Sequence, residues 1–144
     1  MKTIAFTATL DELDRTGGAE AITYGHTLLP HPAWDGKVFT APKDGVYCFG
    51  ISFMRQLIPM GAKDCESCDD SQIRLFVAGE DDGDGPGELK AYAWVGESKV
   101  PRSSGAVTVC LKLEKDDRVR TLDWIDGDKR RFFRHIVFTG YRIR

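Results

Sequence analysis

The chain has 144 residues, of which 42% are hydrophobic and 29% charged, a composition typical of one globular domain rather than of a disordered or membrane-spanning chain. Its 20 basic and 22 acidic residues leave a formal charge of -2, so it lacks the excess of positive charge with which proteins bind the phosphates of nucleic acid. We therefore expect a single domain over residues 1–144, with no nucleic-acid partner and no membrane partner.

Alternation of apolar and polar residues predicts strands along the first half of the chain. Residues 4–10 alternate in this way, without the sustained apolar core of a secretory signal. Another strand is expected in 21–29, before the turn prolines Pro30 and Pro32. In GVYCFGISF at 45–53 the large side chains share one face, which predicts a core position for them. That face holds Tyr47, Phe49, Ile51 and Phe53, and the opposite face holds Val46, Cys48, Gly50 and Ser52.

The second half of the chain continues the same pattern. Strands are expected in 72–79, 90–98, 106–113, 118–125 and 135–143, separated by turns rich in Gly, Pro and Asp. The segment TLDEL at 9–13 is the only candidate for a helical turn. About eight short strands without helical crossovers predict an all-β fold, an antiparallel two-sheet β-sandwich of the jelly-roll type.

One spaced motif carries a family resemblance. Phe39, Gly45, Tyr47 and Phe49 form a pattern that resembles the signature of the complement-q globular head. Downstream, SGAVTVCLKLEKDDRV and FTGYRI are similar to that family's later strands, so the resemblance spans nearly the whole chain. No collagen-like stalk precedes the motif.

The resemblance to the complement-q and tumour-necrosis-factor jelly rolls implies an assembly. In that superfamily ten strands form the jelly roll, the termini lie close together, and the inner sheet packs around a threefold axis. The strands at 45–53 and 106–113 would be neighbours in that sheet, with small residues on one face. We therefore predict a homotrimer whose interface includes five residues: Cys48, Gly50, Cys110, Phe138 and Gly140.

The four cysteines leave several readings open. With no secretory signal in the sequence, we expect free thiols rather than a disulfide framework. Cys48 and Cys110 are interpreted as small structural residues, with a cross-strand disulfide as the alternative in an oxidising compartment. Cys65 and Cys68 have the spacing of half a zinc site but lack a second ligand pair. We read them as loop thiols, free or joined to each other, unless threefold symmetry brings three such pairs together.

The other polar segments give no strong metal or catalytic signal. The acidic loop EDDGDGPGE at 80–88 offers oxygen ligands, and calcium binds some complement-q-like heads, but the EF-hand spacing is missing. A solvated acidic hairpin is the reading we adopt. His26, His31 and His135 are scattered along the chain, and no phosphate loop or nucleophile elbow is present. The sequence predicts no catalytic residue, no metal and no cofactor.

A basic and aromatic segment is the best contact candidate. KRRFFR at 129–134 stands near the expected tip of the last hairpin, and arginine and aromatic residues dominate binding hot spots. The predicted partner-binding residues are Arg130, Arg131, Phe132, Phe133 and Arg134. In the alternative reading, strand alternation buries one phenylalanine, while the arginines are solvated or paired with acids.

Three functions are compatible with these observations. The leading hypothesis is a non-enzymatic homotrimeric module on a larger protein assembly, namely a viral (phage) decoration, cement or fibre protein at the virion surface. The alternative is a secreted or cell-surface adhesion domain that recognises a receptor, another protein or a glycan. The third, a cupin-like sugar-processing enzyme, would need clustered histidines that the sequence lacks.

Overall fold

The computed structural model describes residues 2–56, 70–96, 102–125 and 131–144. In these ranges the chain forms one short 3₁₀ helix, Glu80–Asp82, and nine strands. The strands are β1 (Ala5–Arg15), β2 (His26–Leu29), β3 (Phe39–Thr40), β4 (Gly45–Gln56), β5 (Ser71–Ala78), β6 (Glu88–Val95), β7 (Arg102–Leu113), β8 (Arg118–Ile125) and β9 (Arg131–Arg142). No helix in these ranges is long and apolar enough to cross a membrane.

The strands form two sheets, in which every pair of neighbours is antiparallel. One sheet has the order β2-β1-β9-β4-β7, and the other has the order β3-β8-β5-β6. The first and last strands are neighbours, and β4 pairs with β7 over its whole length, from Gly45 opposite Leu113 to Gln56 opposite Arg102. The predicted β-sandwich and the predicted neighbourhood of these two strands are therefore confirmed.

Pairing in the five-stranded sheet extends four strands, β1, β4, β7 and β9, beyond their predicted bounds. β1 continues through TLDEL to Arg15, and β9 begins at Arg131 within the basic segment. The two strands pair from Ala5 opposite Tyr141 to Arg15 opposite Arg131. Cross-strand hydrogen bonding thus overrides the helical and turn preferences of these polar residues, because strand propensity depends strongly on context. TLDEL, the candidate for a helical turn, is therefore part of a strand.

An aromatic core fills the space between the sheets. The predicted core face of β4 is confirmed, since Tyr47, Phe49, Ile51 and Phe53 are all buried. Near its centre, the ring of Phe6 stacks on Trp34 with centroids 4.6 Å apart. Such ring pairs stabilise the folded state by more than the burial of their apolar area alone.

The spaced motif is explained by this core. The ring of Phe39 packs edge-on against Tyr47 and Phe49, at centroid distances of 5.7 and 5.9 Å. Gly45 is required for a different reason, because a Cβ there would lie 2.5 Å from the Arg144 carbonyl oxygen. The motif therefore holds β3, β4 and the end of the chain together, and its residues are structural.

Candidate interaction surfaces

The outer face of the five-stranded sheet is free of charge over its central rows. Side chains alternate across a strand, so the neighbours of the buried core residues point away from the core. We call the twelve central outward residues of β1, β9, β4 and β7 the uncharged face. They are Ala5, Thr7, Thr9, Val137, Thr139, Tyr141, Cys48, Gly50, Ser52, Ala106, Thr108 and Cys110. They are small apart from Tyr141, whose ring is 48% exposed.

Local hydrogen bonds join polar groups of this face. Thr7 and Thr139 share a hydrogen bond between their hydroxyl groups at 3.0 Å, and the Thr139 hydroxyl also donates to the Phe6 carbonyl. Gly50 lies next to Thr139, and a Cβ at Gly50 would come within 3.1 Å of the Thr139 methyl group. The hydroxyl groups are thus partly satisfied within the sheet, which lowers the cost of burying them.

A disulfide joins two of the predicted interface cysteines. Cys48 and Cys110 lie directly opposite each other on β4 and β7, and their Cα atoms are 4.1 Å apart. The structure therefore has the cross-strand disulfide rather than the free thiols that we favoured. Cys48 is buried and Cys110 is exposed, so the bridge lies at the surface of the uncharged face. Cys65 and Cys68 are outside the described residues.

Two of the five predicted interface residues lie elsewhere. Phe138 is fully buried, and a Cβ added at Gly140 would lie 2.6 Å from the Phe6 ring and 2.7 Å from the Phe49 ring. Both positions therefore face the core, where the Phe138 ring packs against Phe6, Tyr24 and Trp34. Their assignment to the interface is corrected. Cys48, Gly50 and Cys110 lie on the outer face, and their part in a trimer stays a prediction.

The predicted partner-binding segment is also corrected in part. Phe133 is fully buried, with its ring 5.1 Å from that of Phe53, so it is unavailable to a partner. Phe132 and Arg134 are half-buried. Arg130 and the side chain of Arg131 are outside the described residues. Alternation along β9 thus buries one phenylalanine, as the alternative reading expected, because residues 131–134 belong to the sheet.

The acidic loop after β5 is held by one arginine. The Arg118 Nη2 group donates to the carbonyl oxygens of Gly79 and Gly83, at 3.2 and 2.5 Å. The Asp82 carboxylate accepts from the Gly79 N–H at 2.7 Å. Among the residues that the structure describes, no group of three or more His, Cys, Asp or Glu side chains is placed to hold a metal.

A second surface, which the sequence analysis missed, lies on the outer face of the four-stranded sheet. We call it the arginine–aromatic patch, and it is formed by outward residues of β5, β6 and β8. It comprises Arg74, Tyr92, Trp94, Arg120, Leu122 and Trp124. Tyr92 and Trp94 are 48% and 53% exposed, although large aromatic side chains are usually more deeply buried.

The guanidinium at the centre of the patch is fixed in place. Arg74 Cζ lies 4.3 Å from the centroid of the Trp124 ring, a cation–π contact, and Arg74 Nε donates to Gln72 Oε1 at 2.8 Å. Burial lowers the pKa of Arg74 below its usual value, and the neighbouring Tyr92 opposes that shift. The arginine nevertheless stays charged at neutral pH, because a guanidinium keeps its proton far above it.

Alternation indicates the residue types of the patch but not its assembly. Gln72, Arg74 and Phe76 share one face of β5, and Lys90, Tyr92 and Trp94 share one face of β6. The sequence shows this face to be mixed cationic and aromatic, but it does not show which strands are neighbours. The register that sets Arg74 beside both Tyr92 and Leu122 comes only from the structure.

Comparison with known proteins places the fold. No family model and no curated protein sequence matches the chain. The globular domain of zebrafish complement 1qA protein superimposes with a TM-score of 0.68 at 19% identity, over 97% of each chain. The Eiger TNF structure from S. frugiperda gives 0.69 at 13% identity, over 99% of this chain and 93% of that one. Murine APRIL at pH 5.0 gives 0.65 at 7% identity, over 97% and 100%.

The chain has the complement C1q and tumour necrosis factor jelly-roll fold. The resemblance predicted from the sequence is thus confirmed at the level of the fold. Because the identities are this low, they do not transfer a ligand or partner to the chain. None of the three structures has the name of a viral protein, so the virion hypothesis gains no support from them.

Proposed function

We propose that the C1q/TNF-like chain is the subunit of a homotrimeric recognition module that works without catalysis outside the cell. It assembles through the uncharged face and presents its remaining surface to a partner protein or glycan. This is the adhesion and recognition alternative, and it replaces the virion-surface hypothesis as our leading reading.

The composition of the uncharged face carries the proposal. Charged residues make up 29% of the chain, yet none of the twelve residues of this face is charged. Charged residues are depleted at the centre of protein interfaces, because a desolvated charge is costly unless it is paired. Small side chains such as Gly50 and Ala106 allow close approach of a second backbone. A threefold arrangement follows from the family resemblance, and closed cyclic symmetry requires only one type of contact.

The disulfide supports an extracellular location. Structural disulfides persist in oxidising compartments and are rare in reducing ones. The bridge between Cys48 and Cys110 lies within the uncharged face, where it cross-links two of the strands that would contact a neighbouring subunit.

Solution mass measured by light scattering tests the trimer. The wild-type chain is expected to scatter with three times the mass of a single chain. Thr108→Arg places a cation on the exposed side of the face without touching the core, so it should lower the mass to that of one chain. The matched control is Thr23→Arg, at an exposed position away from the sheet face, and it should leave the trimer intact.

Two outcomes would contradict the assembly. If the wild-type chain remains monomeric at every protein concentration measured, the trimer hypothesis is rejected. A trimer that survives Thr108→Arg, with unchanged circular dichroism, moves the contact away from this face. Gly50→Arg is a second probe, and it also needs a small shift of Thr139, so it is interpreted only together with Thr108→Arg.

A further inference from the structure

The arginine–aromatic patch has the composition of a protein-binding hot spot. Tryptophan, tyrosine and arginine are the residues most enriched at such sites. Tyr92 and Trp94 stand about half exposed on β6, and Trp124 lies beneath the Arg74 guanidinium. The ring of Trp94 is further supported by Gly96, since a Cβ there would lie 3.1 Å from Trp94 Cζ2. Side chains that are already fixed lose little conformational entropy on binding, so the cost of ordering these groups against a partner is low.

The charge of the patch indicates what kind of partner fits. The outward residues of β5 and β8 are Gln72, Arg74 and Phe76 on the first strand, and Arg118, Arg120, Leu122 and Trp124 on the second. None of these is acidic, although the chain as a whole is. On β6 the acidic residue Glu88 is paired with Lys90 at 3.0 Å. Neither Arg74 nor Arg120 has a carboxylate partner among the described residues.

Unused donors point to the same chemistry. Arg74 uses Nε for Gln72, and its terminal nitrogens donate to no acceptor in the described part of the chain. A guanidinium binds a carboxylate through two parallel hydrogen bonds, which is the strongest form of this contact. An incoming carboxylate would therefore satisfy donors that the folded chain leaves open.

Shape favours a protein over a small ligand or a glycan. Small-molecule sites are concave, whereas this patch lies on the open face of a sheet. A shallow cleft of about 430 Å³ adjoins it and is large enough for a side chain; its charged lining residues are Glu20, Lys37 and Arg120. An anionic polysaccharide needs a dense row of cations. In the described part of the chain, two guanidinium groups without a carboxylate partner stand here among four large apolar side chains.

We infer that the arginine–aromatic patch binds an acidic segment of a partner protein, with a carboxylate on Arg74 and an apolar side chain against Tyr92 and Trp94. The inference deepens the proposed recognition function. It does not depend on the trimer, because the patch lies within one chain on the sheet opposite the uncharged face. Failure of the trimer in light scattering and failure of the patch in binding are therefore separate results.

The test uses a phage-displayed library of short random peptides as the probe. Panning on the wild-type chain is expected to enrich peptides that combine Asp or Glu with Leu, Phe or Trp. For a synthetic peptide of the enriched sequence, Arg74→Gln and Tyr92→Ala should each weaken Kd by roughly thirtyfold, the factor typical of hot-spot truncation. The matched controls are Arg102→Gln and Leu28→Ala, at exposed positions outside the patch, and they should change Kd less than about twofold.

Any of the following outcomes would overturn the inference. No enrichment, enriched peptides without acidic residues, or wild-type affinity of the two patch variants for the peptide would remove the acidic protein segment as the ligand. On a glycan array, binding of neutral or sulfated glycans that is lost in Tyr92→Ala would assign the patch to glycans. A fall in solution mass in Tyr92→Ala would assign it to a second copy of the chain. Circular dichroism of every variant verifies that loss of binding is not loss of folding.

Discussion

The guanidinium of Arg15 on β1 lies 2.6 Å from the carboxylate of Asp123 on β8, and this contact links the two sheets. Asp123 is fully buried, while the Arg15 side chain is 18% exposed. The same Arg15 nitrogen also donates to the Glu20 carbonyl oxygen at 3.1 Å. A buried carboxylate needs such partners, because the cost of desolvating its charge is otherwise not offset.

Arg15→Gln is therefore expected to destabilise the fold. A hydrogen bond to a charged group contributes about 1.5–3 kcal/mol, and the free energy of unfolding should fall by about that amount. Urea denaturation measures the change. The control, Arg102→Gln at an exposed position of β7, should stay within about 0.5 kcal/mol of wild type. Equal stability of the two variants would show that the link between the sheets contributes little.

Removal of the disulfide should lower stability without changing the fold. Cys48 and Cys110 are 62 residues apart in sequence, and the bridge removes loop-closure entropy from the unfolded chain. For a loop of that length the expected loss is about 4 kcal/mol. Thermal unfolding of the Cys48→Ala/Cys110→Ala double variant measures it.

A thiol assay on the unfolded, unreduced protein supplies the control for that experiment. The sulfur atoms of Cys48 and Cys110 should not react with the thiol reagent until reductant is added. If both react beforehand, or if reductant leaves the unfolding midpoint unchanged, the bridge is absent from the protein in solution.

Gly140→Ala and Gly50→Ala form a matched pair on opposite faces of the five-stranded sheet. A Cβ at Gly140 would overlap the rings of Phe6 and Phe49, at 2.6 and 2.7 Å, whereas one at Gly50 meets only the Thr139 methyl at 3.1 Å. Overpacking of a core costs about 1–3 kcal/mol, so Gly140→Ala should be destabilising by at least that much. Gly50→Ala should cost clearly less. Urea denaturation that ranks the two in the opposite order would contradict the placement of Gly140 in the core.

The fold was predictable from the sequence because local signals agree along the chain. Alternation in 45–53 identified the buried face of β4, and the spaced motif of Phe39, Gly45, Tyr47 and Phe49 identified the jelly roll. The wrong placements of Phe138 and Phe133 on an exposed face of β9 have one cause. The alternation around Phe138 and Phe133 is clear, but period two alone does not say which face of β9 is inside, and a strand neighbour is needed to decide.

The candidate surfaces were less predictable because they depend on pairing. Cys48 and Cys110 form a bridge only because β4 and β7 align them, and Arg74 contacts Trp124 only because β5 and β8 are neighbours. Such contacts join residues that are many positions apart, and composition carries no information about them. Arg15 follows the predicted strand at 4–10 in a polar stretch, so its partner Asp123 was beyond prediction for the same reason.

Alkaline pH should weaken the fold through Tyr24. Its hydroxyl is buried and hydrogen-bonded to Thr121 at 2.8 Å, and burial raises the pKa of the phenol above its ordinary value of 10.0. Above pH 10 the unfolded chain loses this proton while the folded chain retains it, so stability falls as pH rises. Below pH 10 both states hold the proton, and this group gives no pH dependence. The slope reaches about 1.4 kcal/mol per pH unit for one such group.

Tyr24→Phe separates this effect from general alkaline damage. At neutral pH the variant should lose about 1–3 kcal/mol, because the buried Thr121 hydroxyl loses its partner. Above pH 10 its unfolding free energy should decline less steeply than that of wild type, since the unfolded variant has one fewer phenol to ionise. Tyr92→Phe, at a residue that is 48% exposed and outside the uncharged face, serves as the control and should stay within about 0.5 kcal/mol of wild type at neutral pH. Identical slopes for wild type and Tyr24→Phe would mean that Tyr24 ionises equally in both states, which a phenol buried against Thr121 does not allow.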